Sequence, residues 1–134
     1  MSALVLVVDD NPYNVKLLEA RLQAERYDVV TAFGGEEALA KLGQYNPDIV
    51  LLDVMMPGMD GYEVCRRIRK NPLTMHLPVV MVTALDKTSD REMGLEAGAD
   101  DYLTKPVEFE TLFPKMRSLL RDRSVRDQPS AKAS

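Results

Sequence analysis

The chain has 134 residues, of which 46% are hydrophobic and 28% are charged, and its formal net charge is −4 at pH 7. This length fits one ordinary domain, and the composition is that of a folded globular protein. The mildly acidic charge argues against direct binding to nucleic acid or to an anionic membrane surface, since both require a basic footprint.

The N-terminus and the cysteine content predict a soluble cytoplasmic protein. Ser2 and Ala3 lead directly into a short apolar run, without the basic and apolar regions of a signal peptide. The longest apolar runs fall far short of the ~20 residues that a membrane span needs, so we expect no membrane partner. Cys65 is the only cysteine, which excludes an intramolecular disulfide and a thiol-rich metal site.

Five short apolar runs alternate with segments of helical periodicity. The runs VLVV, IVLL and VVMV are continuous rather than alternating, which is typical of strands buried on both faces of a parallel sheet. The predicted strands are residues 4–8, 28–32, 48–52, 78–82 and 102–104. Strand and helix alternating five times predict a doubly wound α/β domain, with a five-stranded parallel sheet between two layers of helices.

Capping residues mark the predicted helices. Asn11 followed by Pro12 opens the first helix, and Asp60 caps the third. Ser89 or Asp90 caps the fourth, which ends near Gly98. The second and fifth helices are predicted at residues 35–42 and 108–120.

The C-terminal part of the chain carries two further expectations. Pro114 lies inside the predicted fifth helix, where a missing backbone donor should kink the helix or delay its start. The chain becomes charged from about Arg121 and then small and polar. We therefore expect residues 1–121 to form the domain and residues 122–134 to form a disordered tail or linker.

Polar side chains follow four of the predicted strands. Asp9 and Asp10 come after the first strand, Asp53 after the third, Thr83 after the fourth and Lys105 after the fifth. Ligands of open parallel sheets bind beyond the carboxyl ends of the strands, so we expect these five groups to converge. A single strand-end aspartate often only caps a helix or a turn, but five groups at four strand ends indicate a site.

The charges of this cluster predict its chemistry. Two unit charges ~5 Å apart repel by roughly 3 kcal/mol at an effective dielectric constant of ~20, and Lys105 offsets only one of three carboxylates. A hard divalent cation with oxygen ligands, such as Mg²⁺, would offset the rest. An aspartate can form an acyl phosphate, and Thr83 and Lys105 could then bind the phosphoryl oxygens.

The Lys105–Pro106 bond is a candidate for cis, since X-Pro bonds tolerate that form.

The stretches VLVVDDNPYN, PDIVLLDVMMPGMDGYEVCRRIR, PVVMVTAL and GADDYLTKP resemble the receiver domains of two-component response regulators, the CheY-like superfamily. The resemblance covers about residues 3–121, and within that family the chain is similar to the receivers that head PleD-type diguanylate-cyclase regulators. It implies a flavodoxin-like fold. It also implies that Asp53 accepts a phosphoryl group from the phosphohistidine of a sensor histidine kinase or a histidine phosphotransferase.

The resemblance also implies the roles of the other site residues. Mg²⁺, which Mn²⁺ could replace, would be held by Asp10, Asp53 and the backbone carbonyl of Met55, with Asp9 acting mainly through water. Lys105 would pair with the phosphate.

Thr83 and Tyr102 would be the switch pair, although Tyr102 could also be only a half-buried strand aromatic. The responding surface would be the face of the fourth helix, fifth strand and fifth helix, which could form a homodimer or contact an output domain. That face carries Lys87, Arg117, Arg121, Glu96, Asp100 and Asp101. The alternative is a merely solvated charged surface.

Two other classes remain open at this stage. A pseudo-receiver would serve only as a protein-binding module, but no acidic residue, threonine or lysine of the site is lost. A phosphatase of the haloacid-dehalogenase type would normally place a DxD pair at its nucleophilic strand, whereas Asp53 is followed by Val-Met-Met. No GGDEF-like segment or helix-turn-helix follows residue 121, so we expect no enzyme activity beyond the chain's own phosphorylation and dephosphorylation.

Overall fold

The computed structural model describes residues 2–126 as one five-stranded sheet with five helices. The strands are β1 (Leu4–Val8), β2 (Asp28–Ala32), β3 (Ile49–Leu52), β4 (Val79–Thr83) and β5 (Asp101–Thr104). The helices are α1 (Pro12–Ala24), α2 (Gly35–Tyr45), α3 (Gly61–Lys70), α4 (Thr88–Ala97) and α5 (Phe109–Arg126). All strand pairs are parallel, in the order β2-β1-β3-β4-β5. The predicted doubly wound fold is therefore confirmed.

Two hydrophobic clusters cover the two faces of the sheet, because successive side chains of a strand point to opposite faces. On one face, Leu6, Val50 and Met81 pack with side chains of α2, α3 and α4. On the other, Val7 and Leu51 pack with side chains of α1 and α5. Full burial of a side chain of this size contributes about 1.5–3 kcal/mol each, so the apolar runs hold the three layers together.

Most of the predicted helix ends are confirmed. The Asn11 side chain accepts a hydrogen bond from the Tyr13 N–H at 2.9 Å, and Gly98 closes α4 with φ 110°. Asp60 Oδ1 accepts from the Glu63 N–H at 2.9 Å. The predicted cap of α4 was wrong by a few residues. That helix begins at Thr88, and Asp90 lies in its first turn, where its carboxylate accepts from the Lys87 N–H at 3.2 Å.

Two helices extend further than predicted. Helix α2 continues to Tyr45, and α5 continues to Arg126 instead of ending at residue 120. The Arg123 guanidinium fixes α5 by donating to the Asp48 carbonyl at 2.8 Å and to the Pro47 carbonyl at 3.3 Å. Residues 122–126 of the predicted tail therefore belong to α5, and the rest of that tail, 127–134, lies outside the described residues.

Pro114 lies within α5, which begins before it at Phe109, so the start of the helix is not delayed. The Lys105–Pro106 peptide bond is cis, as expected. Among residues 2–126, no helix is both long and apolar enough to cross a membrane.

The strand order reverses direction between β1 and β3. An open parallel sheet places its ligand site at such a point, beyond the carboxyl ends of the strands.

Candidate functional site

The adjacent strands β1 and β3 bring the aspartates together. Val8 is paired with Leu52, so the residues that follow, Asp9 and Asp53, lie side by side at the same edge of the sheet. Both are buried, with exposed fractions of 2% and 6%, whereas Asp10 is exposed. One carboxylate oxygen from each of these three aspartates lies within 4.8 Å of the other two. The predicted convergence of the carboxylates is present in the structure.

Lys105 binds the two buried carboxylates directly. Its Nζ lies 2.6 Å from Asp9 Oδ2 and 3.1 Å from Asp53 Oδ2, and its backbone N–H donates to the Thr83 carbonyl at 2.8 Å. Burial alone would lower the pKa of the Lys105 ammonium, but the hydrogen bonds and charges of Asp9 and Asp53 outweigh burial and raise it. Lys105 is therefore firmly cationic at neutral pH.

The Asp9 carboxylate is held in place by the first turn of α1. Its Oδ1 accepts from the Asn11 N–H at 2.9 Å, and its Oδ2 accepts from the Asn14 amide at 3.4 Å. Sequence reasoning assigned Asn11 only a capping role and did not single out Asn14. The position of Asn14 could have indicated this contact, since a polar side chain in the first turn of α1 can reach back to the aspartate at the end of β1.

The donor set fits a hard divalent cation. Three carboxylates and one ammonium leave a formal charge of −2 among Asp9, Asp10, Asp53 and Lys105, which one divalent ion would cancel. All the ligands offered are oxygens, which suits Mg²⁺ better than zinc with its preference for nitrogen and sulfur. Met55 lies beside the cluster, because its backbone N–H donates to Asp53 Oδ1 at 3.2 Å. Its side chain is 55% exposed.

Gly61 allows the segment after β3 to fold back against Asp53. A Cβ atom at this position would lie 2.2 Å from the Asp53 carbonyl oxygen and 2.8 Å from the Val54 Cα, so no other residue fits without a shift. The Gly61 N–H donates to the Val54 carbonyl at 2.9 Å. The start of α3 is thereby fixed directly against the end of β3.

Thr83 and Tyr102 are linked through one backbone residue. Thr83 is fully buried, and its Oγ1 accepts from the Leu85 N–H at 3.4 Å. The Tyr102 hydroxyl donates to the Leu85 carbonyl at 2.8 Å, and the side chain is buried rather than half-buried. The Tyr102 ring lies against α4, since a Cβ on Gly94 would be 2.8 Å from its Cδ2. Burial is the main cause that raises the pKa of Tyr102.

The predicted responding surface contains internal ion pairs. Asp101 in β5 binds Lys115 of α5 at 2.8 Å and lies 3.7 Å from Arg91 of α4. Asp100 does not belong to this surface, contrary to expectation. Its Oδ2 accepts from Arg69 of α3 at 3.0 Å and from the Val79 N–H at 2.8 Å, so it ties α3 to β4 instead.

Comparison with known proteins agrees with this geometry. The family model for the response regulator receiver domain matches residues 5–117. The response regulator PleD of Caulobacter vibrioides is 56% identical over 128 residues, which cover 96% of this chain and 28% of PleD. The alkaline phosphatase synthesis transcriptional regulatory protein PhoP of Bacillus subtilis is 45% identical over 121 residues, or 90% of this chain and 50% of PhoP.

Solved structures give the same result. A putative response regulator from Chloroflexus aurantiacus is 40% identical and superposes with a TM-score of 0.87, covering 90% of this chain and 99% of that protein. The chemotaxis protein CheY4 of Vibrio cholerae is 33% identical, with a TM-score of 0.83 over 89% and 99% of the two chains. The chain spans half or less of the length of the two curated relatives. The resemblance expected from the motifs is confirmed, and the chain belongs to the response regulator receiver domain family.

Proposed function

We propose that this receiver domain is the phosphoacceptor of a two-component phosphorelay and that Asp53 receives the phosphoryl group. The phosphoryl donor is the phosphohistidine of a sensor histidine kinase or a histidine phosphotransferase. One observation carries the proposal. The buried Asp53 carboxylate lies 3.1 Å from a lysine ammonium and within 4.8 Å of two further carboxylates, at the sheet edge where this fold binds ligands.

The reaction is an exchange of one bond at phosphorus. A carboxylate oxygen of Asp53 attacks, a P–O bond forms and the P–N bond of the phosphohistidine breaks, with its electron pair returning to the imidazole. The product is an acyl phosphate on Asp53 and a free histidine on the donor. Lys105, whose ammonium lies 3.1 Å from Asp53, and the Thr83 hydroxyl at the end of the neighbouring strand β4 would bind phosphoryl oxygens and so contribute charge neutralisation and positioning.

Asp10, Asp53 and the Met55 backbone carbonyl are the residues that would hold Mg²⁺, with Asp9 acting through water, and Mn²⁺ could take the same place. The ion would neutralise the excess negative charge of the carboxylates and of the incoming phosphoryl group.

The change at Asp53 reaches the surface through Thr83. In the unphosphorylated protein, the Thr83 hydroxyl accepts a hydrogen bond from the Leu85 N–H. This bond breaks when the hydroxyl turns toward the phosphoryl group. Leu85 is also the partner of the Tyr102 hydroxyl, so the aromatic ring and the β4–α4 connection respond together. The α4-β5-α5 face is then the surface that forms a homodimer or contacts an output domain. The only reactions of this domain would be its own phosphorylation and dephosphorylation at Asp53.

Intact-mass analysis after incubation with acetyl phosphate and MgCl₂ tests the proposal. We expect the wild type to gain the mass of one phosphoryl group and Asp53→Asn to gain none. Asp28→Asn is the matched control, because Asp28 is exposed and lies at the opposite end of a strand in the same sheet. It should be phosphorylated like the wild type.

Three results would contradict the proposal. Absence of an adduct in the wild type would favour a binding module, and an adduct that persists in Asp53→Asn would place the acceptor elsewhere. Repeated turnover of a small phosphate ester, with release of inorganic phosphate far beyond one equivalent, would favour a phosphatase.

A further inference from the structure

Tyr62 is a second buried tyrosine near the switch pair, Thr83 and Tyr102. It lies in the first turn of α3 with an exposed fraction of 6%. Its hydroxyl donates to the backbone carbonyl of Asp90 in α4 at 3.0 Å. A buried phenol needs such a partner, but this one lies 28 residues away in another helix. The hydroxyl therefore fixes α4 to α3 at one point.

The two tyrosines hold the two ends of one connection. The Tyr102 hydroxyl binds the Leu85 carbonyl at 2.8 Å, near the start of the β4–α4 connection, and the Tyr62 hydroxyl binds the Asp90 carbonyl just after its end. The Asp90 carboxylate, Oδ2, also accepts from the N–H of Lys87, the last residue of the connection, at 3.2 Å. The segment that must respond to Thr83 is thus held between two phenols.

The two phenols also lie close enough to affect each other. Burial is the largest cause that raises the pKa of each hydroxyl, and the neighbouring Tyr62 is among the smaller causes that raise the pKa of Tyr102. Both therefore remain protonated donors at neutral pH. Tyr62 and Tyr102 belong to the same close-packed hydrophobic cluster, so displacement of either ring would disturb the packing of that cluster.

We propose that Tyr62 is a positioning residue of the switch, which acts with Tyr102 to clamp the β4–α4 connection and anchors the first turn of α4 while the connection responds to phosphorylation. The signalling part of this inference rests on the proposed function, but the clamp itself does not. Tyr62 touches no reacting atom. It sets how far the displacement at Thr83 spreads into α4.

Hydrogen exchange on the unphosphorylated full chain tests the clamp. Tyr62→Phe removes one hydroxyl and keeps the ring in the core. Loss of one hydrogen bond should speed exchange of the amides of residues 91–94 about five- to tenfold, while amides of β1 and β3 stay unchanged. Tyr45→Phe is the control, because Tyr45 is a tyrosine of α2 whose side chain is 47% exposed.

A double-mutant cycle with Tyr102→Phe separates a clamp from two independent contacts. If the phenols act together, the double variant should depart from the product of the single effects by about threefold or more, as contacting residues do. Single effects that multiply within a factor of two, or a Tyr62→Phe variant that exchanges like the wild type, would overturn the proposal.

The second readout is the response to phosphorylation. At equal phosphate occupancy of Asp53, we expect the wild type to confine the change in exchange to residues 84–87 and Tyr62→Phe to extend it across residues 84–94, because the first turn of α4 has lost its anchor. An identical response in both proteins would reduce Tyr62 to a structural contact and overturn its positioning role. A wild type that takes up no phosphate would instead refute the proposed function, and the exchange cycle would still decide the clamp.

Discussion

Asp10→Asn should stabilise the metal-free protein. Asp10 is exposed, and its carboxylate lies within 4.8 Å of those of Asp9 and Asp53, which are buried. At this distance each like-charge pair costs about 0.9 kcal/mol even at the dielectric constant of water, ~80. The nearby Lys105 ammonium offsets about one of the two pairs. Removing the Asp10 charge should therefore raise the free energy of unfolding by about 1 kcal/mol and Tm by about 4 °C.

Thermal and urea unfolding with EDTA and with MgCl₂ provide the measurement. A ligand at a hundredfold excess over its Kd stabilises by about 2.7 kcal/mol. The wild type should gain this amount, and Asp10→Asn should lose most of it because one of the proposed oxygen ligands is weakened. The order of stability should therefore reverse when Mg²⁺ is added. Asp28→Asn, exposed and remote from the cluster, should follow the wild type within about 0.5 kcal/mol.

Two results would refute this reasoning. If Asp10→Asn is less stable than the wild type in EDTA, the carboxylates do not repel in the way that their separation implies. If Mg²⁺ stabilises the variant as much as the wild type, Asp10 does not take part in binding the ion, and the assignment of the ligands would have to change.

Three further predictions concern single positions. Gly61→Ala should cost about 3 kcal/mol and slow phosphorylation, because its Cβ would lie 2.2 Å from the Asp53 carbonyl oxygen; Gly43→Ala, with open space around it in α2, should instead stabilise by up to about 1 kcal/mol. Burial raises the pKa of the Cys65 thiol to about 11, so iodoacetamide at pH 8 should label it only in urea. Pro114→Ala should raise the urea midpoint by restoring a backbone donor in an exposed part of α5.

The predictions for Gly61 and Cys65 each have a clear counter-result. Gly61→Ala with wild-type stability and phosphorylation would mean that the loop after β3 relaxes freely. Rapid labelling of Cys65 in the folded protein would mean that α3 opens locally. The raised pKa of the Cys65 thiol also predicts that the free energy of unfolding falls at alkaline pH. Since its pKa is raised in the fold, the stabilisation it contributes is complete below its unfolded pKa and lost as pH rises toward about 11.

Local patterns were sufficient to predict most of the elements. The apolar runs located all five strands to within one residue at each end. The signal was clearest for the three central strands β1, β3 and β4, because a strand buried on both faces has no polar alternation to blur its limits. Capping signals located the starts of α1 and α3. Helix α4 was misplaced at its start, since its cap position is occupied by Lys87, which gives no capping signal. Helix α5 was ended too early because charged residues at its end looked like a solvated tail.

The site residues were predictable as a set but not in their contacts. Asp9, Asp53 and Lys105 follow three strands that are far apart in the sequence, and parallel strands place their carboxyl ends at one edge. The 2.6 Å bond between Lys105 and Asp9 was not predicted, because it depends on the path of the connection after β5. Asp100 was assigned to the wrong surface for a similar reason, since its partner Arg69 is 31 residues away.

The sequence by itself therefore determined the fold class, the order of the elements and the identity of the acidic cluster, because these depend on periodicity and on strand ends. Only the tertiary structure decided which side chains pair. The strand order brings β1 beside β3, which places Lys105 between two carboxylates, and the packing of α3 against α4 brings Tyr62 to a backbone carbonyl 28 residues away. Such contacts depend on the distance between elements, which no local pattern of residues records.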